Sequence, residues 1–145
     1  MRIVIDTHVI FSGASFSSSY TGQIMQSWLK QREIEVAISP LILIELRRVI
    51  HYPFVMNRYH WTERQNELFL RTLCRKGVIV EAKTVISISK DKDDNMWFAC
   101  AEAANAEYIV SKNDDILDVG EYKGIKTVKP GYFVEQVLPQ LKKKG

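Results

Sequence analysis

Acids punctuate four apolar stretches of this chain. Asp6 ends the run Ile3-Val4-Ile5, and Glu45 follows Leu41-Ile42-Leu43-Ile44. Asp91, Asp93 and Asp94 precede an apolar helical run, and Asp114 and Asp115 follow Tyr108-Ile109-Val110. In an α/β fold the ends of parallel strands converge on one edge, where ligands bind. Carboxylates gathered at such an edge repel one another unless a positive charge sits between them. A divalent cation is the economical answer, and hydrolysis of a phosphodiester is the chemistry that follows.

Each acid also has an ordinary reading. Asp6 can simply cap the turn that begins at Thr7. Glu45 can pair with Arg48 at i+3 on a helix surface, worth about 0.3 kcal/mol. Asn113-Asp114-Asp115 can be a turn, which both residue types favour. Asp91, Asp93, Asn95 and Glu102 outline an EF-hand calcium loop, but Met96 stands where that loop needs glycine, and Trp97-Phe98-Ala99 reads as helix. A capped helix start needs only one acid, whereas Asp91, Asp93 and Asp94 supply three. Taken separately the ordinary readings hold; together they require four coincidences.

The elements that must position these acids alternate. Residues 2–6 read as a buried strand, consecutive and β-branched. Phe11–Ser19, rich in Ser, reads as a loop. Thr21 caps a helix over Gly22–Arg32, with Ile24, Met25, Trp28 and Leu29 on one face. Glu35–Ile38 is a strand, and Ser39 with Pro40 opens a helix over Pro40–Ile50 that carries Glu45. Pro53 interrupts it. Thr62 opens a helix to about Cys74 with Leu68, Phe69 and Leu73 inward, stopped by Gly77. Val78–Val80 and Val85–Ile88 read as extended. Asp94 starts the helix Asn95–Asn105, where its charge suits the dipole. Tyr108–Val110 and Ile125–Val128 are strands, and Pro130 begins a last helix through Val137. The pattern predicts one domain over residues 1–145: α/β, a three-layer α/β/α sandwich with a mainly parallel central sheet.

Composition allows this and narrows the rest. At 145 residues, 46% hydrophobic and 26% charged, the chain has the material for one packed core. Its net charge of +3 permits nucleic-acid contact without demanding it. Cys74 and Cys100 both lie in apolar helical contexts and read as buried thiols. Lys142-Lys143-Lys144 reads as a frayed, solvated end. The opening is too soon acidic for a signal peptide and no apolar stretch reaches spanning length, so a cytoplasmic protein with no membrane contact is expected. No phosphate loop, GxGxxG, GxSxG or HExxH is present, and His8, His51 and His60 lack zinc spacing. Tyr52, Phe54, Tyr59, His60 and Trp61, interleaved with Arg58 and Arg64, read as a hydrophobic cap or as base-stacking groups.

Three blocks resemble the PIN-domain nucleases: Ile3-Val4-Ile5-Asp6-Thr7-His8-Val9, Asp91 to Ala101, and Ala106-Glu107-Tyr108-Ile109-Val110-Ser111. The tail Tyr122–Pro130 with Phe133 is similar to the branch of ribonuclease toxins from bacterial toxin–antitoxin pairs. The resemblance implies a Mg²⁺- or Mn²⁺-dependent endoribonuclease, with an RNA substrate, a small antitoxin partner and a homodimer. It implies that Asp6, Glu45, Asp94 and Asp115 form the catalytic set, and that Asp91 and Asn113 join them around the metal. Three positions depart from the family pattern. Asn113 stands where an acid is usual, Lys112 where glycine is usual, and His8 where asparagine is usual. An amide can ligate an ion but lacks the charge to hold a second, so a catalytically weak or inactive PIN-fold module, binding RNA or a protein, is the alternative reading. A receiver-like domain also gathers acids at strand ends, but Glu45 on a helix does not suit it.

Overall fold

The computed structural model describes residues 1–15, 18–82, 88–89 and 91–144. Six strands form one sheet: β1 (Arg2–Ile5), β2 (Glu35–Ile38), β3 (Val78–Ile79), β4 (Tyr108–Val110), β5 (Glu121–Tyr122) and β6 (Ile125–Val128). Their order is β3-β2-β1-β4-β6-β5, all pairings parallel except the β5–β6 hairpin. The chain therefore steps outward from β1 through β2 and β3, then returns to place β4 on the other side of β1. That reversal opens a crevice between the carboxyl ends of β1 and β4, the position where doubly wound sheets bind ligands. Ile3, Val4, Ile5, Val36, Ala37, Ile38, Ile109 and Val110 are buried along these central strands, which is why they read as continuous apolar runs.

The helices are α1 (Thr7–Ser15), α2 (Tyr20–Leu29), α3 (Pro40–Val49), α4 (Pro53–Tyr59), α5 (Glu63–Lys76), α6 (Asn95–Ala104) and α7 (Asp114–Leu117). The C-terminal helix runs as α8 (Pro130–Tyr132), a π-turn over Phe133–Val137, and α9 (Leu138–Lys144). Phe11 of α1 meets Phe69 of α5 and Trp61, and the Trp28 Nε1 of α2 donates to the Lys76 carbonyl at the end of α5. α6 crosses β1, β2 and β4 as the other layer. The architecture is the expected α/β/α sandwich.

Several local expectations fail, each for an identifiable reason. Phe11–Ser19 is not all loop: α1 continues to Ser15, because Val9, Ile10 and Phe11 bury one helical face. Gly13 lets α1 approach α2, since a Cβ there would come within 2.4 Å of the Thr21 carbonyl. α2 starts at Tyr20, capped by Ser19 rather than Thr21; the Ser19 hydroxyl accepts from the Gly22 N–H, and the helix ends at Leu29 rather than Arg32. Leu68 points outward at 52% exposure, and Asn66, Leu70 and Leu73 face in. Pro53 not only interrupts α3 but starts α4. Of the two readings left open for Asn113-Asp114-Asp115, the turn is replaced by a short helix that Asp114 begins and Asn113 caps. The last helix passes Val137, so the triple-lysine end continues α9. β5 was not expected; it exists because Lys123 and Gly124 both take positive φ and close a two-residue hairpin. Cys74 is exposed and only Cys100 is buried. Of the extended stretch expected at 85–88, residues 85–87 lie outside the described residues.

Candidate active site

Asp6 is the first residue beyond β1 and is 3% exposed. Its backbone N–H bonds the Val110 carbonyl at 3.1 Å, which fixes it against the end of β4. One carboxylate oxygen accepts from the Val9 N–H at 3.0 Å, capping α1. The other accepts from the Ser111 hydroxyl and, at 3.3 Å, from the Lys112 N–H. The capping role and the place at the switch point thus coincide in one side chain.

The next strand end supplies the second part. Ser111, fully buried, accepts from the Asn113 N–H at 2.9 Å, so one hydroxyl links Asp6 to the following loop. The Asn113 amide oxygen accepts from the Asp115 N–H at 2.9 Å and starts α7, while its Nδ2 donates to Asp94 at 3.1 Å. Asn113 is thereby oriented by two bonds, and its donor group faces a carboxylate.

Asp94 comes from the segment before α6. Asp91 accepts from the Asp93 N–H and caps a 3₁₀ turn over Lys92–Asp94. The Asn95 side chain accepts from the N–H groups of Ile88 and Ser89 and pins the incoming chain. Asp94 does not cap α6 with its side chain. It is instead 8% exposed and turned toward other acids. Carboxylate oxygens of Asp91, Asp94 and Asp115 all lie within 4.8 Å of one another. Burial first, then the charges of Asp91, Asp115 and Asp6, push the Asp94 carboxyl up to about 6, and the Asn113 bond only partly offsets them.

A cavity of about 190 Å³ opens beside Asp94, the one member of that cluster that lines it. Asp6, Glu45, Asp94 and Asn113 line it, with His8 and Phe54 at the same opening. Glu45, from the middle of α3, has a side chain 20% exposed and is ion-paired to Arg48, so the ordinary i+3 pairing and the approach to the cavity are both present. Asp115 and Asp91 stand in the tight carboxylate cluster, Asp6 and Glu45 line the cavity from the end of β1 and from α3, and Asp94 belongs to both. Glu102 is elsewhere, paired with Lys123 at 2.7 Å, which removes the EF-hand reading. The residue that sequence reasoning passed over is Ser111. Its signal was positional: a small polar side chain directly after a buried strand, beside an acid ending the neighbouring strand.

The aromatic stretch divides. Trp61 packs into the core on Phe11 and Phe69, while Phe54, 58% exposed, borders the acidic cavity.

The whole is an α/β domain with acids crowded at its topological switch point. Residues 2–115 match the family model of the PIN domain, and the chain belongs to that family. Two solved structures are similar in fold. VapBC2 from Rickettsia felis, bound to a DNA fragment from its promoter, gives a TM-score of 0.56 at 15% identity, over 89% of this chain and 98% of that one. FitAcB from Neisseria gonorrhoeae gives 0.54 at 14% identity, over 90% and 99%. No curated protein sequence matches the chain. Among the described residues, no helix is long and apolar enough to cross a membrane.

Proposed function

We propose that this PIN domain is a Mg²⁺- or Mn²⁺-dependent endoribonuclease, the toxin of a toxin–antitoxin pair. The observation that carries the reading is the convergence of Asp91, Asp94 and Asp115, with Asp94 buried and its carboxyl pushed up to about 6. Such a cluster is unfavourable without a counter-charge. Its donors are hard oxygens, which suit Mg²⁺ and Mn²⁺ and not softer ions. Asp91, Asp94 and Asp115 would hold the ion, with Asp6, Glu45 and Asn113 completing its surroundings. When bound, a divalent ion lowers the pKa of water and offsets charge on a scissile phosphate.

The chain's own groups do the rest. Ser111 and the Val9 N–H fix the Asp6 carboxylate, so it enters the reaction without reorganising. Asn113 orients Asp94. Arg48 is ion-paired to Glu45, one of the residues that line the cavity. The likeness to VapBC2 and FitAcB supports a small antitoxin partner. Leu41, Ile44, Phe54 and Leu68, all more than half exposed on α3, α4 and α5, supply apolar surface for that partner or for a homodimer.

The test is cleavage of a fluorogenic RNA by purified protein in Mn²⁺, against Asp6→Asn. Asparagine still accepts from the Val9 N–H and caps α1 but loses the acceptor for the Ser111 hydroxyl and the Lys112 N–H, so the variant should fold with a somewhat lower melting point and lose cleavage by at least about a hundredfold. Equal rates would overturn the assignment. The second reading, a PIN-fold module that binds RNA or protein without cutting, is favoured by one observation: Asn113 offers Asp94 an N–H where an acid would share a cation. Calorimetry showing no Mn²⁺ binding would select it.

A further inference from the structure

Beside the acidic cavity lies a larger cleft that nothing above uses. Its volume is about 680 Å³, and its walls include Tyr20, Tyr132, Lys112, Lys129, Asp114 and Glu135. The acidic cavity is much smaller, at about 190 Å³. We infer that this cleft binds a base of single-stranded RNA next to the scissile phosphate, stacked on Tyr20 and Tyr132 with its backbone held by Lys112 and Lys129. The choice of ligand rests on the ribonuclease reading; the cleft's binding does not.

Three features carry it. First, the Tyr20 ring is preset. Its hydroxyl is hydrogen-bonded to Glu135, and its edge rests on Gly131, where a Cβ would come within 3.2 Å of the ring. The ring is nevertheless 46% exposed, so its free surface faces the cleft already immobilised. Tyr132, on the residue after Gly131, is 52% exposed. Aromatic rings held in place are the usual platform for single-stranded bases, because every base has a π-face.

Second, the cleft and the acidic centre share one loop. Ser111 bonds Asp6, Asn113 bonds Asp94, and Lys112 between them gives its N–H to Asp6 while its side chain lines the cleft. A strand with one phosphate at the acids therefore passes Lys112 as it leaves. Third, the charges are mixed. Asp114 and Glu135 stand in the same walls as Lys112 and Lys129, so a free anion gains little there. A base gains more: its ring stacks, an exocyclic amino group meets the Asp114 carboxylate, and the flanking phosphates meet the lysines.

The test is fluorescence anisotropy of a short labelled single-stranded RNA in EDTA, where no cleavage occurs. Tyr20→Ala and Tyr132→Ala should each weaken binding by about 5- to 100-fold, and Tyr20→Phe, which keeps the ring, should restore most of it. Lys129→Gln should weaken binding and reduce the slope of log K against log salt by about 0.7. Melting curves establish that each variant folds; the exposed Tyr132 ring guards against loss of structure at Tyr20. If the tyrosine variants bind RNA like wild type, or if wild type binds none, the cleft assignment is overturned, whether or not Mn²⁺ supports cleavage. If they lose RNA but the protein never cleaves, the cleft stands and the nuclease reading falls. If they lose only association with a protein partner, the cleft is a protein site and the inference is wrong.

Discussion

Replacing Asp94 with asparagine should stabilise the metal-free protein. The carboxyl titrates near 6 in the folded chain against 3.8 as an ordinary aspartate. At about 1.4 kcal/mol per unit, the ionised group costs the folded state at most roughly 3 kcal/mol at neutral pH. Asparagine removes the charge, keeps the shape and can still accept from Asn113. We expect a gain of about 1–2 kcal/mol in EDTA at pH 7.5, or roughly 3–8 °C in Tm. The sign with pH follows from the same shift. The folded chain binds this proton more tightly than the unfolded one. Wild type therefore gains stability from this group as pH falls through 6 toward 4, and loses it as pH rises through 6; the asparagine variant does not. Mn²⁺ at about ten times its Kd should add about 1.4 kcal/mol to wild type and little to the variant. Differential scanning calorimetry at several pH values, with and without Mn²⁺, measures all of this. If Asp94→Asn is no more stable than wild type in EDTA, Asp94 carries no uncompensated charge and the physical case for a cation fails.

Asn113→Asp should do the reverse. It removes the donor to Asp94 and adds a fourth acid, so the metal-free protein should melt several degrees lower while calorimetry shows tighter Mn²⁺ binding. His51 donates from Nδ1 to the Arg47 carbonyl and, when protonated, from Nε2 to Glu63, which raises its pKa above the ordinary histidine value, so Glu63→Gln should move its NMR titration down. The stabilisation from that pair is present in acid and lost as pH rises through the folded pKa. Cys74 should react with a thiol reagent in the native protein, and Cys100, buried and pushed up to about 12, only after unfolding. One fast equivalent is expected; two would mean that the core around Cys100 opens.

The strands were legible because burial on both faces leaves only apolar β-branched runs, as at Ile3-Val4-Ile5 and Tyr108-Ile109-Val110. Pro40 and Thr62 marked helix starts, since each satisfies a terminal requirement locally. Less legible was whatever depends on partners distant in sequence. The serines after Phe11 suggested loop, but the helix there is decided by Val9, Ile10 and Phe11 packing across the domain. Leu68 looked inward on spacing alone but is exposed, while Leu73 is buried as expected, Phe69 packs against the core, and Asn66 and Leu70 join the buried stripe. The acids could be listed from the sequence and grouped through the family resemblance, but the bonds that position them could not be read. Asp91 caps the short turn that carries Asp94, and Asp115 is held in the first turn of α7 by the Asn113 side chain.

The departures from the family pattern acquire a physical meaning in this arrangement. Asn113 does three things: its N–H engages Ser111, its oxygen starts α7, and its amide group meets Asp94. An acid could perform the first two. Only the amide lowers the cost of burying Asp94 beside Asp91, Asp115 and Asp6. Lys112 adds a positive side chain on the same loop without entering the carboxylate cluster. Both changes move charge balance from a bound ion to the protein. A centre built this way is less costly to fold without metal, and by linkage it would bind a cation less tightly, because part of the repulsion that an ion would relieve has already been relieved by the chain.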